Sequence, residues 1–324
     1  MSEAANSEPT VEVTPPTQEE LNDPSLAPAL PGEGCPPPLA WSDVVREVGE
    51  RRTVIDAKTN GKPVRGYAVG DGPPLYFLNG ISATPDLFSL LVWLLRDEFR
   101  CVVIEFPSHA RTMTDLSQSL LAVADAAGDQ QFDLYATSFG SLVALQTLLD
   151  APERISHAVL QGPLVGMNLS SAERTGARIL SWLPGQMRRL PMFASIIRGS
   201  HLRWFPPVDP TRWQFAEHDM TEPRIADVAR RGRMLIGTDF TDRLSEIATP
   251  TLLISSEGEA SRHRDAAKLL NERLPNSRHE NIPNTGHVAF LTHPHRMANL
   301  VRPFLQSSPD AESQLRPTAD ENSP

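Results

Sequence analysis

Two cysteines in 324 residues are too few for a disulfide framework. Cys35 lies in a proline-rich stretch and Cys101 opens an apolar run, so no structural bridge is expected, and no Cys/His spacing suited to a metal site occurs. Long apolar runs are missing as well. None reaches the roughly 18 residues that span a bilayer. The start, Met1-Ser2-Glu3-Ala4-Ala5, is acidic and leads into no apolar signal region, so no membrane span is expected, and a soluble, cytoplasmic protein is. Basic charge is short: 30 Lys plus Arg against 40 Asp plus Glu leave a net −10, which argues against a nucleic-acid binder. No internal repeat of solenoid period is present.

Core-forming residues are scarce at both ends. Residues 1–40 hold nine of the 30 prolines and no aromatic side chain, so they bury too little apolar surface to offset chain entropy. They are expected to be a disordered acidic, Pro-rich tail, and the polar residues 308–324 a second one.

Between the tails, residues 41–162 alternate short apolar runs with helix-like segments. Val64–Val69, Pro74–Leu78, Cys101–Ile104, Phe132–Ala136 and Ala158–Leu160 read as strands. Residues 85–97, 116–127 and 139–149 carry apolar side chains at helical spacing. The same grammar returns over 246–307, with a strand at Thr249–Ile254, a helix at Arg262–Leu274, a strand at Arg278–Ile282 and a largely helical end. Such units predict an α/β fold: a mostly parallel central sheet with helices on both faces. Residues 163–245 lack strand runs and break often at Gly and Pro. Their twelve Arg against eight Asp plus Glu give +4, leaving −14 elsewhere. They are expected to form an inserted helical cap over the sheet's C-terminal edge, where open α/β sheets bind ligands.

Chemistry concentrates in four loops. Tyr135-Ala136-Thr137-Ser138-Phe139-Gly140-Ser141 places a serine where a strand turns into a helix, with small residues two before and two after it. A strained nucleophile elbow needs that spacing, because larger neighbours would clash; a plain helix N-cap serine is the bland alternative. Asn284-Thr285-Gly286-His287 follows the last expected strand and precedes the last helix.

In these loops the chain resembles the α/β-hydrolase superfamily over residues 50–306, whose chain order is nucleophile, acid, histidine. The resemblance implies Ser138 as nucleophile and His287 as general base. It also implies an oxyanion hole: where relatives carry His-Gly after the third strand, this chain has Asn79-Gly80-Ile81, making the Ile81 and Phe139 N–H groups the donors. Relatives place an aspartate three residues after a glycine beyond the strand that ends here at Ile254. This chain offers Ser256-Glu257-Gly258-Glu259, so that spacing selects Glu259, with Glu257 as the alternative and a solvated loop charge as the bland reading of either. Glu105-Phe106-Pro107-Ser108-His109-Ala110-Arg111 stands where many relatives show an aspartate and Gly-His-Gly, a segment that is usually structural, so His109 is read as a packing residue. The other histidines lack a comparable setting, and His293 and His295 read as surface residues.

The resemblance implies a serine hydrolase acting on a small carbonyl substrate, above all a carboxylic ester, with amide, thioester and C–C cleavage also within its reach. No cofactor or metal is implied, and neither nucleic acid nor a membrane span is expected. Within the cap, Ser181-Trp182-Leu183-Pro184 and Pro207-Val208-Asp209-Pro210 resemble maspardin-type proteins, regarded as binding proteins without a complete triad. That likeness implies the alternative, a non-catalytic binding protein with a protein partner.

Overall fold

The computed structural model describes residues 40–167, 171–206 and 209–307. Apart from Ala40, the two expected tails lie outside these residues, and so does Pro207-Val208 of the cap motif.

Eight strands form one sheet: β1 (Thr53–Thr59), β2 (Lys62–Val69), β3 (Pro74–Leu78), β4 (Arg100–Glu105), β5 (Phe132–Thr137), β6 (Ile155–Gln161), β7 (Thr251–Ser256) and β8 (Ser277–Ile282). Their order is β1-β2-β4-β3-β5-β6-β7-β8. β1 and β2 form an antiparallel hairpin through Asn60-Gly61, whose φ values of 51° and 76° suit a two-residue turn that follows strand twist. β2 is antiparallel to β4, and every later pairing is parallel. Sequence reading does not anticipate β1, an edge strand of mixed polarity with no fully buried residue.

Helices cover both faces, and period-2 alternation divides the apolar side chains between them. Along β4, Val102 and Ile104 enter one core with α3 (Met113–Ala127) and α4 (Phe139–Asp150), while Cys101 and Val103 enter the other with α1 (Trp41–Arg51) and α2 (Ser89–Leu95). Each such aliphatic side chain contributes roughly 1.5–3 kcal/mol by leaving water. Cys101 is a free, fully buried thiol, and burial alone holds it protonated. The helix expected over residues 85–97 divides into a 3-10 turn, Pro85–Phe88, and α2.

The cap consists of α5 (Ser171–Leu180), α6 (Pro191–His201), α7 (Pro210–Thr221) and α8 (Ile225–Met234), with short 3-10 turns between and after them. The chain then returns through β7, α9 (Ser261–Arg273), β8, the short α10 (Ala289–Thr292) and α11 (Pro294–Leu305). Among the described residues no helix is long and apolar enough to cross a membrane.

Candidate active site

β5 is buried along its whole length and ends in a turn that L residues seldom adopt. Ser138 has φ 50° and ψ −116°, a conformation that costs on the order of 1–3 kcal/mol and persists only where its surroundings over-determine it. Three contacts do so. The Ser138 N–H donates to the Gln161 carbonyl at 3.1 Å, and the Ser138 carbonyl accepts from the Ser141 N–H at 3.0 Å and the Ser141 hydroxyl at 2.5 Å. The small-residue spacing follows from packing: a Cβ on Gly140 would stand 2.4 Å from the Leu78 carbonyl oxygen, so only glycine lets α4 pass the end of β3. Gly80, after β3, lies beside the serine, a Cβ there reaching 3.8 Å from that of Ser138.

Glu259 follows β7, and its side chain is wholly buried. Its Oε1 accepts from His287 Nδ1–H at 2.9 Å and its Oε2 from the Ser256 N–H at 3.2 Å, so both oxygens are satisfied. Because a carboxylate only accepts, the bond places the imidazole proton on Nδ1 and leaves Nε2 with a lone pair. Glu257 lies two residues earlier and exposed. It accepts the Asn284 N–H at 2.9 Å, tying its loop to the turn before His287, where Asn284 takes φ 58°. Spacing selects Glu259 with Glu257 as the alternative, and the fold gives each a different partner.

A cavity of about 560 Å³ opens over the C-terminal ends of the strands. Ser138, Glu259 and His287 line it together with Ile81, and α6 roofs it through Phe193 and Ile197. Phe139 is buried at the start of α4, its ring packed edge-on to Phe106. No hydrogen bond joins Ser138 to His287 among the described residues; the two share the cavity instead. Burial of an acid–histidine pair does not by itself mark a site. Asp133 and His157, 3.0 Å apart, are both buried, more so than His287, but lie in the core beside Phe304.

Several neighbours of the pair escape sequence reading. Gly162 follows β6 at φ 53°, and a Cβ there would stand 2.3 Å from Glu259 Oε1 and 2.8 Å from the His287 ring. The glycine directly after a buried strand was the available signal. Gly162→Ala should therefore cost turnover at least tenfold and stability on the order of 1–3 kcal/mol, from φ strain and displacement of the pair. Steady-state kinetics and thermal unfolding check both.

His201 and His263 also correct the view that the remaining histidines lack a special setting. His201, from the cap, stacks on His287 at 6.1 Å between ring centroids, and His263 lies 4.4 Å away with its Nδ1–H bonded to the Gly162 carbonyl at 2.9 Å. Burial first, then the neighbouring imidazoles, lowers each to about 4. They stay neutral in the folded protein while their unfolded forms titrate near the ordinary value of about 6.5. Stability from both is thus full above pH ~6.5 and falls as pH drops toward 4. A His201→Gln/His263→Gln variant should lose less melting temperature than the parent over that window. An equal or steeper loss counts against neutral burial of the pair. His293 is half-buried, its ring bonded to the Thr292 hydroxyl, and so is less exposed than expected.

The cap also grips the loop after β3. Arg231 of α8, half-buried beside Phe106, donates to the Ile81 carbonyl at 2.9 Å, and desolvation lowers its guanidinium to about 10. Asp219 of α7 accepts from the Thr84 N–H at 3.0 Å and from the Thr84 hydroxyl, while the Thr84 carbonyl accepts from Asn79 Nδ2 at 2.8 Å. Burial pushes Asp219 up to about 7.

A strained serine after the fifth strand, an acid after the seventh and a histidine after the eighth make a chain-order pattern that known proteins can be compared with. The chain is 23% identical over 269 residues to a pimeloyl-(acyl-carrier protein) methyl ester esterase of Nitrosomonas europaea, covering 71% of this chain and 94% of that protein. It is 27% identical over 262 residues to the carboxylesterase YbfK of Bacillus subtilis, covering 72% and 81%. Among solved structures, an enol-lactonase from Burkholderia xenovorans LB400 superposes with a TM-score of 0.67 over 78% of this chain and all (100%) of that one, at 15% identity, a likeness of fold alone. Residues 75–300, which run from β3 into α11, match the Alpha/beta hydrolase family, and the chain belongs to that family.

Proposed function

We propose that the chain is a serine hydrolase that cleaves small carbonyl substrates, carboxylic esters first, through an acyl-enzyme on Ser138. The observation carrying this reading is the buried Glu259–His287 bond on the same cavity as the strained Ser138 turn. Family membership and the esterase relatives support hydrolysis, and the two relatives named as esterases favour an ester over an amide.

In this scheme Ser138 Oγ attacks the carbonyl carbon while His287 Nε2 takes its proton, and Glu259 stabilises the imidazolium. The N–H groups of Ile81 and Phe139 receive the tetrahedral oxyanion, the second aided by the N-terminus of α4. Collapse breaks the bond to the alcohol, which leaves with the proton from His287. Water, deprotonated by the same histidine, then attacks the acyl carbon and releases the carboxylic acid and free Ser138. His201 and His263 remain neutral beside this charge, so they add no competing cation. No cofactor enters the scheme.

A fluorophosphonate probe tests it, since it captures a serine only when a base activates the hydroxyl. Wild type should be labelled and Ser138→Ala should not. A second reading, a maspardin-like binding protein, draws on Trp182, 84% exposed within the cap motif. Unlabelled wild type would favour it.

A further inference from the structure

The acid and the base sit on separate loops, each preceded by a glycine: Gly258 before Glu259 and Gly286 before His287. Neither glycine has positive φ, so backbone conformation does not require glycine at either place. What requires it is Trp204, in the 3-10 turn Leu202–Trp204 that follows α6. A Cβ on Gly258 would stand 1.9 Å from Trp204 Cζ2, and one on Gly286 2.3 Å from Trp204 Cδ1. The six-membered ring therefore rests on one loop and the five-membered ring on the other. Between the loops themselves, the Gly258 N–H donates to the Thr285 carbonyl at 2.9 Å.

The turn that carries the indole is anchored. Phe205, the next residue, is buried edge-on to Trp213 of α7 at 5.1 Å, and the Arg203 guanidinium covers the Trp204 ring at 4.7 Å. His201, three residues earlier, is the ring stacked on His287. Trp204 Nε1 is buried with no hydrogen-bond partner among the described residues, a cost that phenylalanine would not carry, so the contact is made by ring shape and not by the polar atom.

We infer that Trp204 is a positioning residue: the cap uses its indole as a spacer that holds the Glu259 and His287 loops at the separation their hydrogen bond needs. This rests on the serine-hydrolase reading for its effect on rate, but not for its effect on the bond. Removing the ring frees both loops to shift. Adding a methyl under it forces them apart.

A double-mutant cycle on the full chain tests the spacer, with Ser138 labelling by a fluorophosphonate and steady-state kinetics on a short ester as readouts. Trp204→Ala and Gly258→Ala should each slow labelling and lower kcat by about tenfold or more, with KM changed less than about threefold. In the Trp204→Ala background, where the space above Gly258 is empty, Gly258→Ala should cost less than about twofold. Trp204→Phe, whose single ring covers Gly286 but falls short of Gly258, should recover only part of the loss. Multiplicative losses in the double variant would overturn the inference, as would wild-type labelling in Trp204→Ala. If Gly258→Ala fails to fold, the Ala and Phe variants of Trp204 still decide it.

The downfield NMR resonance of the His287 Nδ1 proton separates this inference from the reading it rests on. It reports the Glu259 bond whether or not the chain turns over any ester. It should be lost or broadened in Gly258→Ala and in Trp204→Ala. If wild type is unlabelled but the resonance behaves this way, the hydrolase reading falls and the spacer stands. If Ser138 is labelled and the resonance ignores both substitutions, the spacer falls alone.

Discussion

Ser138→Ala and His287→Ala should each lower kcat/KM for a short ester by roughly 10⁴-fold or more, and the double variant should be no worse than either single one. The losses do not multiply because the hydroxyl and the imidazole act in one event: without the base the hydroxyl is a weak nucleophile, and without the hydroxyl the base has no proton to take. The two substitutions differ in their structural consequences. Ser138 already has a Cβ at positive φ, and the bonds holding its turn run through its backbone, so alanine should fold unchanged. Removing His287 leaves Glu259 Oε1 buried without its partner, at a cost of about 1–3 kcal/mol. His287→Gln, which can still donate to that oxygen, separates lost chemistry from lost stability. Undiminished turnover in Ser138→Ala, measured on protein of wild-type melting temperature, would remove the assigned role.

The parts of the molecule that were legible in advance are those where local pattern and burial coincide. β3 to β7 are largely buried on both faces, so apolar residues dominate them despite Asp133 and His157, and such strands separated by helical spacing imply a parallel sheet. The turn at Ser138 was readable because its steric demand leaves Gly140 in the sequence. The edge strand β1 was not, because an exposed strand needs no apolar alternation. His201, His263 and Trp204 escaped for a different reason. Each acts through a contact between segments distant in the chain, and the cap that brings two of them over His287 is a set of short helices whose docking no periodicity specifies. Spacing selects Glu259 as the acid with Glu257 as the alternative, and what spacing lacks is the course of the backbone after β7, which turns Glu259 inward and Glu257 outward.

Glu259→Gln should lower kcat by roughly 10³–10⁴-fold while leaving the fold intact, because neither orientation of the new amide can do what the carboxylate does. With its oxygen toward His287, the amide keeps the Nδ1–H bond, but its NH₂ then faces the Ser256 N–H, donor against donor, and no negative charge remains to stabilise the imidazolium. With its NH₂ toward His287, the amide satisfies Ser256 but needs a lone pair at Nδ1, which moves the imidazole proton to Nε2. The nitrogen meant to take the serine proton is then already protonated. Glu257→Gln meets no such conflict. Its side-chain oxygen can still accept the Asn284 N–H in an exposed setting, so kcat should stay within about twofold and stability within about 0.5 kcal/mol. Steady-state kinetics on the two variants, with thermal unfolding as control, give the comparison. A crippled Glu257→Gln beside an active Glu259→Gln would mean that the catalytic histidine is oriented from the exposed glutamate. If both variants stay active, His287 works without a carboxylate and the buried Glu259 bond is structural.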